Sequence, residues 1–159
     1  MNIKEILDNI DYSGQVNSNK ELVNGSFNEG YKGWIIPNPE KIKILSENGI
    51  NFLRIQNDPS FEAVFQIIEG LEPNVKYKLT GKARLSKWKI YDGSLAIFGL
   101  HNDTLGPVTF VTDTQYFKTG TVELSADAEG LLRVFLIKTQ VEDISAVTAD
   151  FTGFIFEKA

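Results

Sequence analysis

Lys76-Tyr77-Lys78-Leu79-Thr80-Gly81-Lys82-Ala83-Arg84 alternates residue by residue. Side chains alternate across a strand, so Tyr77, Leu79, Gly81 and Ala83 point one way, and Lys76, Lys78, Thr80, Lys82 and Arg84 point the other. One face is core and the other is wet, the pattern of an antiparallel sheet packed on one side. The same logic extends in both directions. Strands are predicted over Ile42–Leu45, Asn51–Gln56, Glu62–Ile68, Ser94–Leu100, Val108–Thr112, Gly120–Leu124, Leu131–Lys138 and Ala149–Glu157. Turn formers fill the gaps: Glu47-Asn48-Gly49, Asn57-Asp58-Pro59-Ser60, Gly70 to Asn74, Asp92-Gly93, His101 to Pro107 and Asp127 to Gly130. Many short strands at this spacing predict an all-β fold, an antiparallel β-sandwich or jelly roll, with a closed barrel as the second choice. No βαβ alternation appears, which argues against a doubly wound fold.

The strand Leu131–Lys138 departs from simple alternation. Leu132, Val134 and Leu136 form an apolar face, while Arg133, Phe135 and Ile137 form a mixed one. An aromatic on the outward face of a strand is either covered or meant to touch something.

The whole chain is 159 residues, 42% hydrophobic and 23% charged, with 11 Phe, 5 Tyr and 2 Trp. That is one domain with enough apolar residues for a core. The net charge of −5 argues against a general nucleic-acid binder. With no Cys and one His, disulfide scaffolds, thiolate chemistry and multi-histidine zinc sites are excluded. No apolar run approaches the ~20 residues that span a bilayer, so no membrane insertion is expected. The opening Met1-Asn2-Ile3-Lys4-Glu5 lacks the apolar core of a signal peptide.

Before the strands, Ile3, Ile6, Leu7 and Ile10 fall at helical spacing, with Asn2 and Glu5 placed as a capping box. A helix this short is marginal unless it docks. Residues 1–20 are therefore expected to be a helical lead-in followed by a polar linker, and 21–159 the β domain.

The order of motifs resembles a known family. Glu21-Leu22-Val23-Asn24-Gly25-Ser26-Phe27-Asn28 and then Gly33-Trp34 are similar to the opening of carbohydrate-binding modules of families four, nine, sixteen and twenty-two. These are jelly rolls of the galactose-binding-domain-like group. Ala63 to Ile67, Gly70 to Leu79, and Lys82-Ala83-Arg84 resemble their middle passage, and Ala149-Asp150-Phe151-Thr152-Gly153-Phe154 their closing strand. The resemblance implies a jelly roll that binds a poly- or oligosaccharide and, in relatives, one structural calcium. Carried onto this chain, the metal ligands are Asn28 and Asp150. Asn28 stands where the family has Glu and Ala149 where it has Asp, so the site has lost formal charge, and calcium affinity falls with ligand charge.

Sugars are held by flat aromatic faces, with amides, carboxylates or Arg on the hydroxyl rims. Trp34 reads as core. Trp88 and Tyr91 lie among charges in Leu85-Ser86-Lys87-Trp88-Lys89-Ile90-Tyr91-Asp92, between two strands, and are the expected aromatic wall. Arg84 leads into that segment, and its plain alternative is a solvated or ion-paired Arg. His101 opens the next connection, whose plain alternative is a polar turn. Phe135 faces away from its core, on what the resemblance implies is the concave sheet, and Gln140 follows that strand as a hydroxyl partner. Arg84 and Phe135 are expected together on or near the floor of one site. The chain has no nucleophile elbow, phosphate loop or zinc-helix motif, and no paired carboxylates can be read from it, so catalysis is not expected. The expected protein is a non-catalytic carbohydrate-binding module, appended to other domains of a longer exported protein and so extracellular or at the cell surface. The alternative is a structural or adhesive module of a phage tail or cell-surface assembly, built for protein contacts.

Overall fold

The computed structural model describes residues 3–8, 18–56, 63–86, 93–139 and 147–159. Among the described residues the helix α1 (Ile3–Asp8) is followed by β1 (Ser18–Asn19), a 3-10 turn (Pro39–Lys41), β2 (Ile42–Glu47), β3 (Ile50–Ile55), β4 (Val64–Ile68) and β5 (Lys76–Ser86). β6 (Leu95–Asn102), β7 (Gly106–Thr112), β8 (Lys118–Ser125), β9 (Leu132–Thr139) and β10 (Thr148–Lys158) complete it. Two five-stranded sheets face each other. Sheet 1 has the order β1-β4-β9-β6-β7 and sheet 2 the order β2-β3-β10-β5-β8. This is the all-β sandwich with a short N-terminal helix that the alternation predicts.

Period-two alternation builds the core. β5 buries Tyr77, Leu79, Ala83 and Leu85, and β10 buries Ala149 and Phe151, against Ala96, Phe98, Leu100, Leu132, Val134 and Leu136 of sheet 1. Gly81 and Gly153 explain a kink in this layer. The β10 register slips between Thr152 and Ile155, with Gly153 at φ 68°, so Phe154 turns inward. Its ring then lies on Gly81, where a Cβ would stand 2.3 Å from Cε1.

Two features were not expected. The polar stretch before Glu21 contributes β1, whose Ser18 and Asn19 pair in parallel with Ile67 and Ile68 and cover the edge of β4. The outer face of sheet 1 is also apolar: Ala63, Phe65, Ile67, Ile97, Phe135 and Ile137 form a second cluster, closed by Ile6 and Leu7 of α1.

Candidate functional site

The opening motif is a structural knot. Asn24 has φ 54°, and its side chain ties three backbone groups: Nδ2 donates to the carbonyls of Gly30 and Lys32, and Oδ1 accepts from the N–H of Glu29. The Asn24 carbonyl accepts from Trp34 Nε1 at 3.0 Å. Trp34 is 3% exposed between Phe27 and Phe154, with ring centroids 5.2 and 5.9 Å away, so it is core as expected. Gln66 anchors the same loop by clasping Val23, donating to its carbonyl at 2.7 Å and accepting from its N–H.

On the outer face of sheet 1, Phe135 and His101 meet. Cross-strand partners share a face, and Phe65, Phe135 and Gly99 are neighbours on β4, β9 and β6, as are Ile67, Arg133 and His101. The His101 and Phe135 rings stand edge to face at 5.6 Å. Phe135 is fully buried in the cluster that α1 closes, so it is covered rather than open. His101 is 5% exposed. Burial lowers its pKa to about 4, with the Arg133 guanidinium adding to the effect and Asp103 and Asp8 opposing it. Arg133 in turn holds Asp103 at 2.8 Å.

The outer face of sheet 2 is different in kind. Lys43, Arg54, Asp150 and Arg84 are successive cross-strand neighbours on β2, β3, β10 and β5. Asp150 is fully buried. Its Oδ1 accepts from Arg54 Nε at 2.8 Å, and its Oδ2 accepts from Arg54 Nη2 at 3.0 Å and Arg84 Nε at 2.8 Å. Arg84 Nη2 also donates to the exposed Glu47 at 3.3 Å. Phenyl rings support the guanidinium groups: Arg84 lies 4.2 Å from the Phe117 centroid and 5.0 Å from that of Phe52, and Arg54 lies 5.4 Å from Phe52. The planar groups are thus held both in plane, by Asp150, and from one side, by the rings. Ser86 and Thr148 share a hydroxyl–hydroxyl bond one step along the same face, and Thr80 and Thr121 share another. Tyr116, beside Phe117 in the chain, is 72% exposed.

Arg84 is therefore ion-paired, which was its plain alternative. Arg84 and Phe135 lie on opposite outer faces of the sandwich and cannot share one floor. Trp88, Tyr91 and Gln140 lie outside the described residues. Sequence reasoning missed Arg54, Phe52, Glu47, Phe117 and Tyr116. Alternation over Ile50–Ile55 places Phe52 and Arg54 together on the outward face, a signal that was available.

Asn28 and Asp150 do not fit a calcium site in this arrangement. Both Asp150 oxygens accept from guanidinium groups, and the Asn28 Oδ1 accepts from Asn51 Nδ2 at 3.0 Å. A dication beside two arginines would meet like charge rather than the oxygen cage it requires. Among the described residues no group of three or more His, Cys, Asp or Glu could hold a metal, and no helix is long and apolar enough to cross a membrane.

No protein-family model matches the chain, and no curated protein does. Solved structures do match in shape. TmCBM61, solved in complex with β-1,4-galactotriose, superposes with a TM-score of 0.63 at 13% identity, covering 88% of this chain and 99% of that one. A family 16 carbohydrate-binding module gives 0.58 at 12% identity, covering 86% and 98%. The fold is that of the carbohydrate-binding modules. It also occurs within larger proteins: the enzymatically active domain of bacteriophage CBA120 tailspike protein 4 matches with a TM-score of 0.59 at 10% identity, over 88% of this chain and 21% of that one.

Proposed function

We propose that this domain is a non-catalytic carbohydrate-binding module and that it binds an oligosaccharide on the outer face of sheet 2 around Arg84. One observation carries the reading: two guanidinium groups, fixed by Asp150 and backed by Phe52 and Phe117, lie on a sheet face that also carries the exposed Thr80–Thr121 hydroxyl pair. Rigid donors on an aromatic bed are what a sugar ring and its hydroxyl rim require. The opposite face is closed by α1 and offers no such donors to solvent at Phe135. The solved relatives of the same fold, one of them in complex with a galactotriose, support a sugar as the ligand. Trp88 and Tyr91 belong to this reading through the sequence, since segment 87–92 follows directly on Ser86 of β5. An exported protein with further domains is the natural host for such a module.

Binding needs neither metal nor proton transfer. Hydroxyls exchange water for protein partners at small net gain, so affinities on the order of 10–100 µM are expected. The test is a glycan array followed by calorimetry on hits, with Tyr116→Ala and Trp88→Ala beside the parent. Loss of binding in either variant at unchanged melting temperature supports the site. Unchanged binding in both variants removes the aromatic wall, and silence across neutral and acidic glycans removes the function.

A second reading, a structural module of a phage tail, is favoured by the likeness to the tailspike domain. A tail-protein gene beside this one would support it.

A further inference from the structure

We infer that the outer face of sheet 2 selects sugars bearing a carboxylate, a hexuronate whose carboxylate takes the place of Glu47 on Arg84. This rests on the sugar-binding reading above and names the ligand class for the same face.

Charge is the first ground. Lys43, Arg54, Lys82 and Arg84 share the outward face, and Lys82 pairs across strands with Thr152. Against these four cations stand Asp150 and Glu47, which leaves a surplus of two positive charges on a chain whose net charge is −5. A locally basic face on an acidic protein concentrates anions where the rest of the surface repels them.

Geometry is the second. Asp150 is buried and bonds both arginines, so it is part of the scaffold. Glu47 is not. Its side chain is 56% exposed, it stands at the turn between β2 and β3, and its direct bond to Arg84 Nη2 is long at 3.3 Å. An exposed contact of this kind contributes little to stability. The bonds to Asp150 and Glu47 use four of the ten N–H donors that two guanidinium groups carry. Glu47 shows that the accessible side of Arg84 takes a carboxylate. A ligand carboxylate can replace it there, while Glu47 turns to solvent at little cost.

The surroundings choose the sugar. A surplus of two charges suits single carboxylates rather than a dense polyanion, and the exposed Thr80–Thr121 hydroxyls suit a ring with hydroxyl rims. Tyr116, next in the chain to the Phe117 that backs Arg84, is exposed and adds a flat apolar ring for the sugar to meet.

The test is calorimetry of the purified protein with trigalacturonate, with neutral galactotriose as its uncharged counterpart, and with polyglutamate, at low and high salt. Trigalacturonate should bind about tenfold more tightly than galactotriose, the worth of one charge-assisted contact. Glu47→Gln should tighten uronate binding about threefold, by removing the competing carboxylate. That preference should shrink at high salt. Galactotriose and trigalacturonate binding equally, or Glu47→Gln leaving uronate binding unchanged or weaker, overturns the inference while the sugar-binding reading stands. Polyglutamate binding as tightly as the uronate overturns the sugar class, and no binding to any of the three overturns the uronate inference, while the sugar-binding reading falls only if the glycan array is silent as well.

Discussion

Asp150 is the residue on which the outer face of sheet 2 depends. Asp150→Ala would leave two guanidinium groups, 16% and 13% exposed, without their shared counter-charge. Breaking a buried ion pair from one side costs about 3–5 kcal/mol, which urea unfolding should read directly. Asp150 also answers for part of what the sequence could not show. Its partner Arg54 lies 96 residues away, and Glu47 lies 37 residues from Arg84. Such pairings follow from strand register, which alternation within one strand does not specify. Trp34, by contrast, was legible because Gly33-Trp34 sits in a local motif that closes on itself. His101 gives a second measurable effect. Its pKa is 6.5 when unfolded and about 4 when folded, so between these values the unfolded chain binds the proton and the folded one does not. Stability should therefore fall as pH drops from 6.5 to 4, by up to about 3 kcal/mol, and hold steady above that window. His101→Gln should flatten this slope in melts collected across the range.

At the scale of elements, α1 has two roles, a helix of its own and a cover for sheet 1. Its helical spacing was readable, and so was the rule that so short a helix must dock. The target was not readable, because the apolar outer face assembles from β4, β6 and β9, which are neighbours in space only. Phe135 illustrates the limit: its outward direction followed from alternation, its complete burial from a helix more than a hundred residues upstream. Leu7→Asp should lift the cover. Each buried aliphatic side chain of this size is worth about 1.5–3 kcal/mol, so the melting temperature should drop and a hydrophobic dye such as ANS should bind the exposed face. An unchanged melt and no dye binding would mean that α1 contributes nothing there. β1 escaped notice for a simpler reason. Two polar residues form it, and only backbone pairing to Ile67 and Ile68 makes them a strand.

For the molecule as a whole, the two-layer architecture could be predicted because strands such as β5 and β8 carry the period-two code, while β4, β6 and β9 are buried on both faces and do not. The order of strands within each sheet could not, since it is set by which edges close. The calcium expectation belongs at this scale too, because a metal between distant segments would act as a staple for the entire domain. With Asp150 held by Arg54 and Arg84, chelation by EDTA should leave the melting temperature unchanged, and added calcium should not raise it. A rise with calcium would show that the carboxylate can leave its arginines, by the mass-action stabilisation that any ligand of the native state confers.

The position of β10 in sheet 2 bears on how the chain acquires its shape during synthesis. β10 lies between β3 and β5 and joins the β2–β3 hairpin, complete by Ile55, to the β5–β8 pair, whose second strand ends at Ser125. A ribosome has thus released both flanking strands long before the strand that unites them emerges. Until then β3 and β5 each present an unpaired edge, with Phe52 and Arg84 on one side and bare core residues on the other. Such edges are the natural targets of chaperones and of mispairing between nascent chains. The domain closes only when its last strand slides into the gap, bringing Asp150 between two waiting arginines.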